Sequence, residues 1–343
     1  MGAVCFLPGL CSVEIHIDSV IGMRAEENLL KLPELHIGNL IARIPIIQGG
    51  MAVRVSMAPL AAAVANEGGI GLIAGSGLSI EELKHEIRKA RQLTQGIVGV
   101  NIMFAVREFA ELAKAAIEEK IDLLVSGAGF SRDMYVWGKQ AGIPVVPIVS
   151  TAKLAVLAEK LGAAAVIVEG KEAGGHLGTE ISMRDILPEV KRAVKIPVIG
   201  AGGVVDGGDI AEVLRLGADG VQMGTRFAAS TESSAAPEFK ECLLRSGDED
   251  LILIDSPVGL PGRGVRNEFS DALAAGESFR PTRCIECLKH CKRNFCIIQA
   301  LENAQQGNMA TGLVFSGEKV KKIKQILSVK QIFERLIKEV EEA

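Results

Sequence analysis

Between residues 44 and 225 one pattern recurs: a short β-prone apolar run, a glycine-bearing turn and a helical stretch. This alternation calls for parallel strands joined by helical crossovers, because each helix must bury its apolar stripe on a sheet. Eight runs carry it, at 44–47, 70–74, 97–102, 123–125, 144–148, 165–168, 197–199 and 220–223. Helices are expected at 56–66, closed by Gly68 and Gly69, and at 79–93, where Ser79 and Glu82 have the spacing of a capping box. Two more, at 151–161 and 207–216, each end at a glycine.

Eight such units fit a closed (β/α)8 TIM barrel, although a doubly wound open sheet uses the same parts. An open sheet gathers its chemistry at one switch point, whereas a barrel spreads it over the loops after every strand. Here unusual residues follow nearly every run: Gln48-Gly49-Gly50, Gly75-Ser76-Gly77, Asn101, Ser126, Ser150, Glu169, Gly202-Gly203 and Gly224-Thr225. That distribution favours the barrel.

After Thr225 the rhythm fails, and prolines and cysteines accumulate. The expected division is an irregular extension over 1–35, the barrel over 36–229, a smaller covering domain over 230–305, and C-terminal helices over 306–343 that return to the barrel. The basic run 319–324 reads as a solvated helix face.

With 48% apolar and 23% charged residues and a formal charge of -4, the chain has a globular balance and no basic face for nucleic acid. No run reaches the ~20 apolar residues of a membrane span. The first 23 residues lack a positive charge ahead of their apolar cluster, and Glu14 and Asp18 interrupt it, so they read as an extension, with Met23 an alternative start. Seven cysteines, an odd number, argue for a reducing cytoplasm over a disulfide scaffold. A small-molecule or thioester substrate and a homodimer complete the expectation.

The glycine pairs after the seventh and eighth strands let backbone N–H groups approach a phosphate closely. Gly75-Ser-Gly77 and Gly127-Ala-Gly129 lack the third glycine of a dinucleotide fingerprint. His176 stands apart from the other four histidines because it follows the sixth strand in a glycine-rich loop expected to be mobile; a catalytic proton carrier and a surface histidine both remain open. Cys284, Cys287, Cys291 and Cys296 fall within 13 residues. On a helix the first three would form a buried stripe, the favoured reading, with metal ligation second and redox pairing third. No residue is assigned as a metal ligand.

The segments 45–51, 99–103, 172–178, 197–203 and 221–227, in this order and after these strands, resemble the nitronate monooxygenase (2-nitropropane dioxygenase) family, which includes FMN-dependent enoyl-acyl-carrier-protein reductases. The resemblance implies a noncovalent FMN. Gly49, Gly50 and Met51 would touch the flavin through the backbone, Asn101 would contact the ring region, and Glu169 and Gly174 would lie beside the isoalloxazine. Gly203 and the run Gln222, Met223, Gly224 and Thr225 would hold the phosphate, and His176 matches the catalytic histidine. It further implies oxidation of alkyl nitronates by O2 first, and NAD(P)H-dependent enoyl reduction second. A flavin-binding or metal-responsive regulator is the reading from another class. Glu169 departs from the Gln resembling nitronate-oxidising members and matches the enoyl reductases.

Overall fold

The computed structural model describes residues 32–277, 279–281 and 284–343, so the expectations about the first 23 residues fall outside it. Among the described residues the strands are β1 (Leu35–Ile37), β2 (Leu40–Ala42), β3 (Ile46–Gln48), β4 (Ile70–Ala74), β5 (Ile97–Met103), β6 (Leu123–Gly127), β7 (Val145–Val149), β8 (Val166–Glu169), β9 (Gly175–His176), β10 (Val198–Ala201), β11 (Gly220–Met223), β12 (Leu251–Asp255) and β13 (Pro261–Val265). The helices are α1 (Ala58–Asn66), α2 (Ile80–Leu93), α3 (Phe109–Glu118), α4 (Arg132–Ala141), α5 (Ala152–Leu161), α6 (Met183–Ala193), α7 (Gly207–Arg215), α8 (Thr225–Ala228), α9 (Pro237–Arg245), α10 (Glu268–Ala274), α11 (Ile297–Gln305) and α12 (Val329–Glu341).

Strands β3 to β8, β10 and β11 close into an eight-stranded parallel barrel, with β11 pairing back to β3. All eight expected runs are therefore barrel strands, and the fold is a (β/α)8 barrel. The capping box of Ser79 and Glu82 forms at the start of α2. Leu35, expected within the irregular extension, instead opens a hairpin, β1–β2. Its Leu35, Ile37 and Ala42 pack with the inward-facing Ile47, Ile70, Leu72, Val125 and Ile167, plugging the amino end of the barrel.

The outward faces of the strands bury against the helices. Helix α1 is rich in alanine, which lets it lie close over β4; a Cβ on Gly71 would come 1.9 Å from the carbonyl oxygen of Ala61. Helix α8 is a single four-residue turn, too short to cover its strands. Helix α12, from the far end of the chain, packs on α7 and α1 and fills that place in the outer ring. The run 319–324 is not a helix face: it holds one 3₁₀ turn, and its Lys319 and Lys322 both pair with Asp209.

Gly71→Ala tests the α1–β4 approach. The added methyl has no free volume, so a loss of about 1–3 kcal/mol is expected, read as a lowered urea midpoint with unchanged slope.

Candidate active site

At the carboxyl ends of the barrel strands lies a cavity of about 250 Å³. Gly49, Gly50, Met51, Asn101, Glu169, Gly174, His176, Gly203, Gln222, Gly224 and Thr225 all line it. Met223 does not. Side chains alternate along β11, so with Gln222 turned inward Met223 points out and is buried among helix residues such as Phe227. Its contribution is a carbonyl that accepts the Gly49 N–H at 2.9 Å, fastening β11 to the loop after β3.

The cavity wall carries unmet hydrogen-bonding capacity. Asn101 donates to the Gly50 carbonyl at 3.3 Å, but its Oδ1 has no partner, and neither has the Oε1 of Gln222. Two buried amide oxygens left unsatisfied on one cavity are costly unless a ligand donates to them. Gly202 and Gly203 both adopt positive φ, 99° and 64°, which turns the backbone after β10 back toward the cavity. Lys319 is the one cationic side chain among the described lining residues. It is held by Asp209, whose carboxyl burial tends to raise but which its lysine hydrogen bonds bring below the usual range. Amide acceptors, a glycine cradle and a nearby cation form a donor set that suits a planar heterocycle carrying an anionic tail.

His176 differs from expectation in its backbone. The glycine-rich loop is not free: Gly175 and His176 form β9, paired antiparallel with Arg263 and Gly262 of β13. The ring lies edge-on to Phe315 at 5.2 Å, and its Nε2 shares a 2.7 Å hydrogen bond with the Ser256 hydroxyl. Burial lowers the imidazole to about 4, so the ring is neutral at physiological pH. Glu169, at the end of β8, is moved the other way: burial raises its carboxyl to about 7. Two titratable groups on one cavity are thus set on opposite sides of their usual values, an arrangement typical of sites that transfer protons.

Several lining residues escaped the sequence reading: Phe239, Ile297, Ile298, Leu301, Leu313, Phe315 and Gly317. They come from after the barrel repeat, where no periodic signal marks them. Gly317 donates to the Thr225 hydroxyl at 2.9 Å and Glu318 N–H to the Glu172 carbonyl at 3.0 Å, which lays this segment across the mouth. The cysteine run also differs from the favoured reading. Residues 284–296 form an irregular loop, not a helix; Cys284 and Cys291 are exposed, and Cys287 and Cys296 half-buried, so no buried stripe exists.

The nitronate monooxygenase family model matches residues 35–130 and 114–339. The chain belongs to the nitronate monooxygenase family. It is 34% identical over 239 residues to the 5-hydroxy-7a-methyl-1-oxo-octahydro-1H-indene-4-carboxyl-CoA dehydrogenase of Mycobacterium tuberculosis, covering 69% of this chain and 67% of that one. FabK from Thermotoga maritima superposes with a TM-score of 0.76 at 35% identity, over 87% of this chain and 93% of that chain. Nitroalkane oxidase from Streptomyces ansochromogenes gives a TM-score of 0.76 at 26% identity, over 87% and 96%. The family makes this chain an oxidoreductase and sets aside the regulator reading. Among the described residues no helix is long and apolar enough to cross a membrane.

His176→Asn is expected to cut turnover by about 100-fold or more without loss of the folded state, with Ser256→Ala costing less; kcat and circular dichroism measured together check both. The acid sensitivity of the protein should change as well. A histidine lowered from 6.5 to about 4 gives stability that is complete above 6.5 and is lost as pH falls toward 4. Urea midpoints of His176→Asn should accordingly vary less across that window.

Proposed function

We propose that this family member binds FMN and reduces an enoyl thioester with NAD(P)H. The observation that carries the substrate class is Glu169, a carboxyl on the cavity wall raised to about 7, at the position where the resemblance implies an amide in nitronate-oxidising members and a carboxyl in the enoyl reductases. The 34% identity to a carboxyl-CoA dehydrogenase supports a thioester substrate. This reverses the order of the two substrates given by the sequence.

With FMN held in the cavity, the site would have available hydride chemistry linking reduced nicotinamide to the β-carbon of the substrate. The residues around it divide the remaining work. Backbone groups of Gly49 to Met51, with Asn101 and Gln222, would seat the ring system through the unsatisfied amide oxygens. Gly203, Gly224 and Thr225 would receive the phosphate, with Lys319 close by. Glu169, still protonated below about 7, would give its proton to the α-carbon; a general acid works best with a pKa near the operating pH. Neutral His176, oriented by Ser256 and Phe315, would donate a hydrogen bond to the thioester carbonyl. The apolar side chains of Ile297, Ile298, Leu301 and Leu313 would exclude water and accept the acyl chain.

Nitronate oxidation remains the second reading, favoured by the family model and by the neutral His176, which suits an anionic substrate that needs orientation and no proton removal. Anaerobic mixing separates the two. Bleaching by NAD(P)H and recovery of colour with a short enoyl-CoA is the expected result; bleaching by propyl nitronate alone sinks the thioester reading.

The pH dependence follows from the two groups. kcat/KM for the enoyl thioester should be sustained below about 7 and fall above it as Glu169 ionises. Glu169→Gln should lower the rate and remove that alkaline limb. An unaltered limb in the variant would assign the titration to another group.

A further inference from the structure

We propose that Cys284, Cys287, Cys291 and Cys296 bind a [4Fe–4S] cluster beside the catalytic cavity. All four line a second cavity, of about 520 Å³, and Ile297 lines both this cavity and the first. Four thiols and no histidine at one cavity are the soft donor set that iron–sulfur clusters take. Among the described residues no group of three or more His, Cys, Asp or Glu is already gathered to hold a metal, so the loop would close around the cluster as it binds.

The loop is built as a ligand loop rather than a loose connection. Leu288 bridges to Val106, the Arg107 N–H donates to the Cys287 carbonyl at 2.9 Å, and the Lys289 N–H donates to the Ala105 carbonyl at 2.9 Å. These bonds fix Cys287 to the turn between β5 and α3. The Glu286 N–H donates to the Cys284 sulfur at 3.4 Å, the backbone support that thiolate ligands receive in such clusters. Glu286 and Arg293 hold positive φ, 52° and 59°, a conformation that non-glycine residues keep only where their surroundings impose it.

Charge agrees with the assignment. Each thiol that ligates iron loses its proton to solvent, so four cysteines bring four negative charges to the centre. Arg107, Arg280, Lys289, Lys292 and Arg293 line the same cavity against one carboxylate, Glu286. Two ferrous ions, two ferric ions and four inorganic sulfides, with the four thiolates, make up the resting centre. Cys296 is the residue just before α11, whose Ile297, Ile298 and Leu301 face the catalytic cavity, so cluster binding would fix the start of that wall.

The test is metal analysis of the full chain purified without oxygen and without a metal-binding tag. About four iron and four acid-labile sulfide per chain are expected, together with flavin. Cys287→Ser should lose at least three quarters of the iron and sulfide and retain flavin, whereas Cys242→Ser, outside the loop, should retain all three. Should Cys287→Ser be insoluble, the wild-type protein decides alone: an EPR signal of a reduced cluster after dithionite upholds the assignment. Stoichiometric zinc without sulfide, a mass deficit from disulfide pairing, or flavin-loaded protein without iron after anaerobic incubation with equal ferrous and ferric iron plus sulfide each overturns it.

Discussion

The short backbone ladder between β9 and β13 is the interaction on which the site depends. Two residue pairs, His176 with Gly262 and Gly175 with Arg263, join the loop after a barrel strand to a hairpin made more than 70 residues later. The barrel provides the floor of the cavity, and this ladder brings Ser256 to the imidazole and sets beside it the hairpin on which Phe315 bridges, burying the ring enough to keep it neutral. A histidine left on a free loop would be solvated and would titrate near its ordinary value. The chemical character of His176 is therefore set by pairing between distant parts of the chain.

The barrel was legible because its signal is local and repeated. Each strand is a short apolar run, each helix begins or ends with a recognisable residue, and the glycines fall where backbones turn or approach closely. Asn101, Glu169, Gly203 and Gln222 could be placed on the cavity because strand ends in this architecture face one way. Met223 shows the limit of reading a motif as a block: alternation along β11 separates it from its neighbour Gln222.

What stayed hidden shares a physical cause. Ser256, Phe315 and Gly317 act through tertiary contacts, and nothing in their local sequence distinguishes them from ordinary loop residues. The cysteine run misled in the opposite sense. Its spacing is compatible with a helical stripe, but the observed loop is held open by bonds to residues 105–107, which no local pattern records. Lys319 likewise sits in a basic run that resembles a solvated face, while Asp209 draws it inward to the cavity.

The chain leaves the barrel after α8 and rejoins it only at α12, so the outer ring is completed across an excursion of 100 residues, 229–328. The entropy of closing such an excursion grows only with the logarithm of its length, about 0.6 kcal/mol for each doubling. Insertions or deletions there cost the barrel little so long as α12 can still dock on α7 and α1. The scaffold that holds the cofactor-facing strands is thereby decoupled from the segment that forms the roof. A family built this way is free to change the size and chemistry of what enters the cavity while keeping one catalytic floor.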